Sequence, residues 1–287
     1  MSYETFEIRG HGADGKVAHL VLNRPDELNS MTPAMWRELP AVVERISASG
    51  RARALVISAE GRHFCSGMDL AVFTGSSDEP SPFEPATAAS GAARGLAFAH
   101  LVRELQHAIS TVEHARMPVL AAIQGGCVGG ALDLAAACDM RYCTTDAFFT
   151  VQETNIGLVA DLGSLQRLPG LIGDGMTREL AYTGRRLSAD EALRLGLVNA
   201  VFEDHRRLVE GVLAIAAEIA TKSPAVVHGS KVAVRYARDH GVVEALDHVA
   251  LWQAGMLSPE EMAEAMTAHA EGRDGDFADL PPERPVF

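Results

Sequence analysis

An α/β fold is the prediction for this 287-residue chain, with a β/α core over residues 1–204 and a helical region over residues 205–287. Three observations carry it. Short apolar strands alternate with turns and helices from Ala52 to Phe202. The sequence Ser188-Ala189-Asp190-Glu191 reads as a capping box, opening a helix that Gly196 ends before one more strand. From His205 onward the apolar residues recur almost throughout at helical spacing, so strands give way to helices.

Thr5-Phe6-Glu7-Ile8-Arg9 alternates, Val17 to Leu22 is β-rich, and a Gly/Asp turn near Gly12 to Gly15 separates them, which predicts a β-hairpin. Thr32 and Pro33 stand in the favoured N-cap and first-turn order. They open a helix whose apolar face is Met35, Trp36, Leu39, Val42, Val43 and Ile46, and Pro40 should kink or split it. A strand is expected over Ala52 to Ala59, then the loop Gly61 to Leu70. Residues Gly75 to Ser90 lack periodicity and read as a long loop. A long helix follows and ends before Pro118; His100, His107 and His114 recur on it every seven residues. That spacing lacks the companions of a usual metal site, so a helix face or subunit contact is expected and no metal is implied. Val119 to Gln124 should be a strand, Gly125 to Gly130 a glycine turn and Ala131 to Cys138 a short buried helix. Strands are expected again at Arg141 to Thr144, Ala147 to Val151 and Leu197 to Phe202.

Composition narrows the class. With 47% apolar and 22% charged residues and no apolar run long enough for a bilayer, the chain reads as a globular protein without membrane spans. The net charge of −13 opposes non-specific nucleic-acid binding, and any anionic ligand then needs its own basic patch. Cys65, Cys127, Cys138 and Cys143 lack metal or redox spacing and read as buried free thiols. The acidic start of the chain is unlike a signal or transit peptide and Arg284-Pro285-Val286-Phe287 is no peroxisomal tripeptide, so cytoplasm is the expected compartment.

Three acids interrupt apolar sequence: Asp133 in a helix that follows the glycine cluster, Glu153 just past a strand, and Asp161 in Leu158-Val159-Ala160-Asp161-Leu162-Gly163. Burying even a neutral polar group without a partner costs roughly 2–7 kcal/mol. One such acid would read as a cap or a structural ion pair; three beside a glycine-rich turn read as chemistry. Gly125-Gly126-Cys127-Val128-Gly129-Gly130 lacks the Lys-Ser/Thr and the spacing of nucleotide loops. Its free N–H groups at a helix start would suit a developing oxyanion, with a second donor from the Ser66-Gly67-Met68-Asp69 loop.

His63-Phe64-Cys65-Ser66-Gly67-Met68-Asp69-Leu70, the 125–134 segment and Leu165-Gln166-Arg167-Leu168-Pro169 resemble the crotonase (enoyl-CoA hydratase/isomerase) superfamily, from Asn23-Arg24-Pro25 to Lys222-Ser223-Pro224. The resemblance implies a spiral of repeated ββα units with a helical C-terminal region that builds homotrimers or hexamers. It also implies an acyl-CoA substrate, no cofactor beyond that coenzyme A, and an oxyanion hole from the N–H groups of Met68 and Gly130. Ser66, Gly67, Asp69 and Leu70 are the matching substrate-binding loop, and Arg24 is the preferred phosphate contact in a chain whose only lysines are Lys16, Lys222 and Lys231. Hydratases of the family usually carry glutamates at the positions of Asp133 and Glu153 and glycine at that of Asp161. The pattern here is similar to the Δ3,5-Δ2,4-dienoyl-CoA isomerase branch, which implies Glu153 as the base at C2, Asp161 as the acid at C6 and Asp133 as a tuning, positioning or structural acid. Crowding should leave a proton on Asp161 beside an ionised Glu153. The alternatives are an enoyl-CoA hydratase, with Glu153 and Asp133 holding water, and a non-catalytic acyl-CoA-binding or RNA-binding relative.

Overall fold

A computed structural model describes residues 3–12, 15–69, 72 and 91–283. The hairpin forms as expected: β1 (Phe6–His11) pairs antiparallel with β2 (Val17–Leu22), Phe6 opposite Leu22. Next come α1 (Pro33–Ser49), β3 (Ala54–Ala59) and α2 (Gly91–His114). The middle of the chain supplies β4 (Val119–Ile123), β5 (Gly126–Val128), α3 (Gly130–Ala137), β6 (Met140–Thr144) and β7 (Phe148–Thr150). After these run α4 (Ser164–Ile172), α5 (Asp174–Thr183), β8 (Leu187–Ser188), α6 (Ala189–Leu195) and β9 (Ala200–Phe202). Four helices close the chain: α7 (His205–Ala220), α8 (Pro224–Asp239), α9 (Val242–Met256) and α10 (Pro259–Glu271).

The strands sort into two sheets, β1-β2-β3-β4-β6-β9 and β5-β7-β8. From β4 to β7 the chain visits them in turn, and every pairing but β1 with β2 and β7 with β8 is parallel. Strands so paired need crossovers, and these place helices around the sheets. The fully buried run Ala54–Ala59 is the signature of a strand covered on both faces. One face meets α1 through Leu39, Val42 and Val43; the other meets α7 through Leu208, Val212 and Ala216. The helical region expected from residue 205 therefore begins as the second cover of the core sheet.

Several local expectations are met and two need correction. Thr32 caps α1 by accepting from the Met35 N–H, and Ser188 and Glu191 form the full capping box of α6. Pro40 does not split α1, which runs on to Ser49, ended by Gly50 in the left-handed region. Tertiary burial of the Leu39-to-Val43 face outweighs the one backbone bond that proline removes. The glycine stretch 125–130 is not simply a turn: its middle is β5, held by β7. Among the described residues no cluster of His, Cys, Asp or Glu could hold a metal; His100 faces Glu104 and His107 faces Glu44. All four cysteines are buried free thiols, and burial pushes Cys65 up to about 12, which removes it as a nucleophile. Leu70 and the loop Gly75 to Ser90 lie outside the described residues.

Candidate active site

Two loops are zipped together by backbone bonds. Phe64 N–H donates to the Gln124 carbonyl at 2.7 Å, Cys65 N–H to Gly126 at 3.1 Å, and Val128 N–H to Cys65 at 3.2 Å. On its other side the 65–69 loop meets Met31, whose N–H donates to the Gly67 carbonyl at 2.8 Å while its carbonyl accepts from Asp69 N–H at 3.1 Å. Both bonds go to the residues flanking Met68, so the Met68 N–H points the opposite way. Gly130 is the first residue of α3, where an N–H has no partner within the helix. Among the described residues neither N–H finds any acceptor.

Gly67 explains why the two donors converge. Its φ is +91°, and a Cβ there would lie 2.6 Å from the Val128 carbonyl oxygen and 3.9 Å from the Gly130 nitrogen. Only glycine permits both that conformation and that approach. His63 braces the other end: its Nδ1 accepts from the Gly126 N–H at 2.9 Å, so the ring proton sits on Nε2. Burial, helped by the charge on Arg62, holds its pKa below the usual value and keeps the acceptor neutral.

The two N–H groups border a cavity of about 570 Å³, walled by Phe98, Val102 and Leu105 of α2 and by Ile156, Leu158 and Val159. Larger hollows of about 680 and 740 Å³ open against α8, but neither reaches the two loops. Glu153 and Asp161 both line the loop-bordered cavity, as do Ser66, Gly67, Met68, Asp69 and Gly130. Glu153 opens a short 3-10 helix, Glu153–Ile156, directly after β7. Its Oε1 packs beside Gly129, where a Cβ would come within 3.1 Å of it, and its Oε2 is buried with no hydrogen-bond partner.

Asp133 is separated from them. It is 0% exposed on α3, outside the cavity lining, and its Oδ1 accepts from the Ser164 N–H at 2.5 Å at the start of α4. Burial pushes it up to about 6, against the pull of the Ser164 bonds and Arg167. Burial and then the charge of Asp133 push Glu153 up to about 7, and burial raises Asp161 as well. Both shifts run toward the protonated form, the direction that burial and crowding of acids dictate. Glu153, with one oxygen buried and bare, holds a proton up to about 7.

The remaining expected residues sort by position. Asp69 accepts from Ser30 Oγ at 2.9 Å, which ties the cavity rim to the segment after β2. Arg24 is not in the cavity lining; its Nη1 donates to the Ser30 carbonyl at 2.9 Å and so braces that rim from behind. Two residues without a candidate role in the sequence matter here. Asn29, at φ +53°, accepts from the Arg24 N–H and donates to the carbonyls of Glu60 and His63, locking the rim to the loop after β3. Asn is the type of residue that tolerates a left-handed turn, and in Leu28-Asn29-Ser30-Met31 that signal is present. Gln106 on α2 donates to the Asp161 carbonyl at 2.6 Å, a long-range contact with no sequence signal.

Paired sheets with crossover helices, two backbone donors and carboxylates on one cavity define a class. The chain matches the enoyl-CoA hydratase/isomerase family over residues 12–280 and belongs to it. It is 41% identical to the mitochondrial Δ3,5-Δ2,4-dienoyl-CoA isomerase of Mus musculus over 274 residues, 95% of this chain and 81% of that protein. It is 40% identical to the peroxisomal protein of that name from Arabidopsis thaliana, covering 97% of this chain and 99% of the relative. Among solved structures, the enoyl-CoA hydratase of Bacillus anthracis superposes with a TM-score of 0.82 at 28% identity, over 98% of this chain and 100% of the other. The chain is an enzyme of this crotonase family, similar over almost its whole length to dienoyl-CoA isomerases. The cytoplasmic expectation is overturned by these relatives, which are mitochondrial or peroxisomal. Compartment is set by short receptor-read segments, which the composition of a folded core does not report.

Proposed function

We propose that this enzyme converts 3,5-dienoyl-CoA into 2,4-dienoyl-CoA, serving β-oxidation of unsaturated acyl chains whose double bonds start at odd positions. The observation that carries the reading is Asp161, an acid that lines the same cavity as Glu153, Met68 and Gly130. Glu153 removes a proton from C2, and the electron pair moves into the thioester as a conjugated enolate. The Met68 and Gly130 N–H groups stabilise its oxygen, each donor contributing roughly 2.7–4 kcal/mol. Collapse of the enolate forms C2=C3, shifts C3=C4 to C4=C5, and directs the C5=C6 pair onto a proton from Asp161. Glu153 ends protonated and Asp161 ionised, and exchange with solvent resets both. No net oxidation occurs, so the step calls on no redox cofactor, and coenzyme A enters as part of the substrate.

Asp133 acts from behind, keeping Glu153 basic through its charge and fixing the start of α4 through Ser164. Exposed apolar residues on α8 and α9, among them Val234, Val242, Val243 and Leu246, support assembly into homotrimers or hexamers. The deciding experiment offers 3,5-dienoyl-CoA and crotonyl-CoA to the enzyme and follows ultraviolet absorbance. The expected result is a new 2,4-dienoyl thioester band from the first. Efficient hydration of crotonyl-CoA without any diene shift would sink the proposal in favour of a hydratase.

The pH dependence follows from the same charges. Glu153 must be ionised to accept a proton, and burial with the neighbouring Asp133 has raised it to about 7. The expected kcat/KM therefore drops below neutral pH, approaching about tenfold per pH unit once Glu153 is protonated. Asp133→Asn keeps an oxygen for the Ser164 N–H but removes the charge, and this limb should move to lower pH. A limb that stays in place would separate Asp133 from Glu153. The stability sign is opposite: carboxyls raised in the folded state favour folding at low pH, and that contribution is lost as pH rises through about 6 to 7.

A further inference from the structure

The helix α2 presents two stripes of side chains with the same helical spacing. Phe98, Val102 and Leu105 line the cavity, and Gln106, Ser110 and Glu113 beside them grip the segment that carries Asp161. Ser110 and Glu113 hold Arg167 of α4 at 3.3 and 2.8 Å, and Arg238 closes on Glu113 from α8. The Arg167 guanidinium packs on Gly163, where a Cβ would fall 1.8 Å from Nη1, so residue 163 is pinned at φ +134°. Upstream, Leu158 is tied back to Glu153. Between these points Val159 is 73% exposed, and among the described residues a single hydrogen bond from elsewhere in the fold reaches the backbone of residues 159–162. That bond is Gln106 Nε2 to the Asp161 carbonyl, at 2.6 Å.

We propose that Gln106 is the positioning residue of the distal acid: its amide fixes the Asp161 backbone against α2, so that the carboxyl stands at one place on the cavity wall. The inference rests on the reading of Asp161 as the proton donor at C6. Ala160 and Leu162, on either side of Asp161, are packed into the core, so the Gln106 bond fixes the turn of the peptide between them, and cutting it frees the Asp161 carboxyl to reorient. Misplacing a catalytic group by about 1 Å can cost about 10²-fold in rate. Gln106 does not touch Glu153 or the backbone donors in the structure, so proton removal at C2 should not feel its loss.

Gln106→Met preserves the length of the side chain and removes the donor. In D2O with 3,5-dienoyl-CoA, the wild-type enzyme and the variant are compared for formation of the 2,4-dienoyl product and for deuterium entering C2 of recovered substrate. The expected result is a loss of about 10²-fold in kcat for product with KM and C2 exchange close to wild type. Product formation within twofold of wild type would overturn the proposal. So would an equal fall in product formation and C2 exchange, the mark of a general structural defect. A wild-type enzyme that exchanges C2 without making 2,4-dienoyl product would overturn the parent reading instead.

Discussion

Glu153→Gln is expected to lower the diene shift by roughly 10²–10⁴-fold, the usual contribution of a positioned proton-transfer group. The variant should also lose deuterium exchange at C2, since no other carboxyl shares the spot beside Gly129. Acyl-CoA affinity should stay near that of wild type, because the proposed oxyanion donors are backbone groups that this substitution leaves in place. Folding should not suffer either. Glu153 carries a buried oxygen without a partner, and burial already opposes its charge, so a neutral isostere relieves a cost at alkaline pH. Near-normal turnover in this variant, measured with 3,5-dienoyl-CoA, would reject Glu153 as the base.

Asp161→Asn should lower product formation to a similar extent but leave a different trace. With proton removal at C2 assigned to Glu153 in the proposed mechanism, deuterium should still wash into recovered substrate while 2,4-dienoyl-CoA fails to form. The split between exchange and product separates a base from a distant acid, which a rate alone does not. Its physical basis is the placement of the two carboxyls as separate parts of one cavity wall, one beside the Gly129 turn and one on the loop held by α2. Isomerisation at an undiminished rate in Asp161→Asn would remove its role and with it the distinction from hydratases.

Much of the scaffold was legible because local chemistry set it. Thr32-Pro33 and Ser188 with Glu191 are self-contained capping signals, satisfied within one turn, and the structure uses them as read. Glycines 67 and 129 turn through positive φ beside a neighbour, a requirement that the fold imposes and the sequence does not show. Pro40 misled because its effect is settled by what α1 buries, and β5 hid inside a glycine run because its strand character comes from β7. Gln106 leaves no local trace because its partner lies 55 residues away, and the two carbonyls that Asn29 holds lie 31 and 34 residues from it.

By itself, the sequence determined the α/β class, the capped helix starts and the identity of the three acids, because these depend on residue type and short-range spacing. Only the tertiary structure decided where those acids stand. It brought Glu153 and Asp161 to one cavity and withdrew Asp133 behind it onto the Ser164 N–H. It also turned the N–H groups of Met68 and Gly130 away from acceptors that would have silenced them. Burial and the distance between charges are properties of packing, and they raise all three carboxyls above their ordinary values.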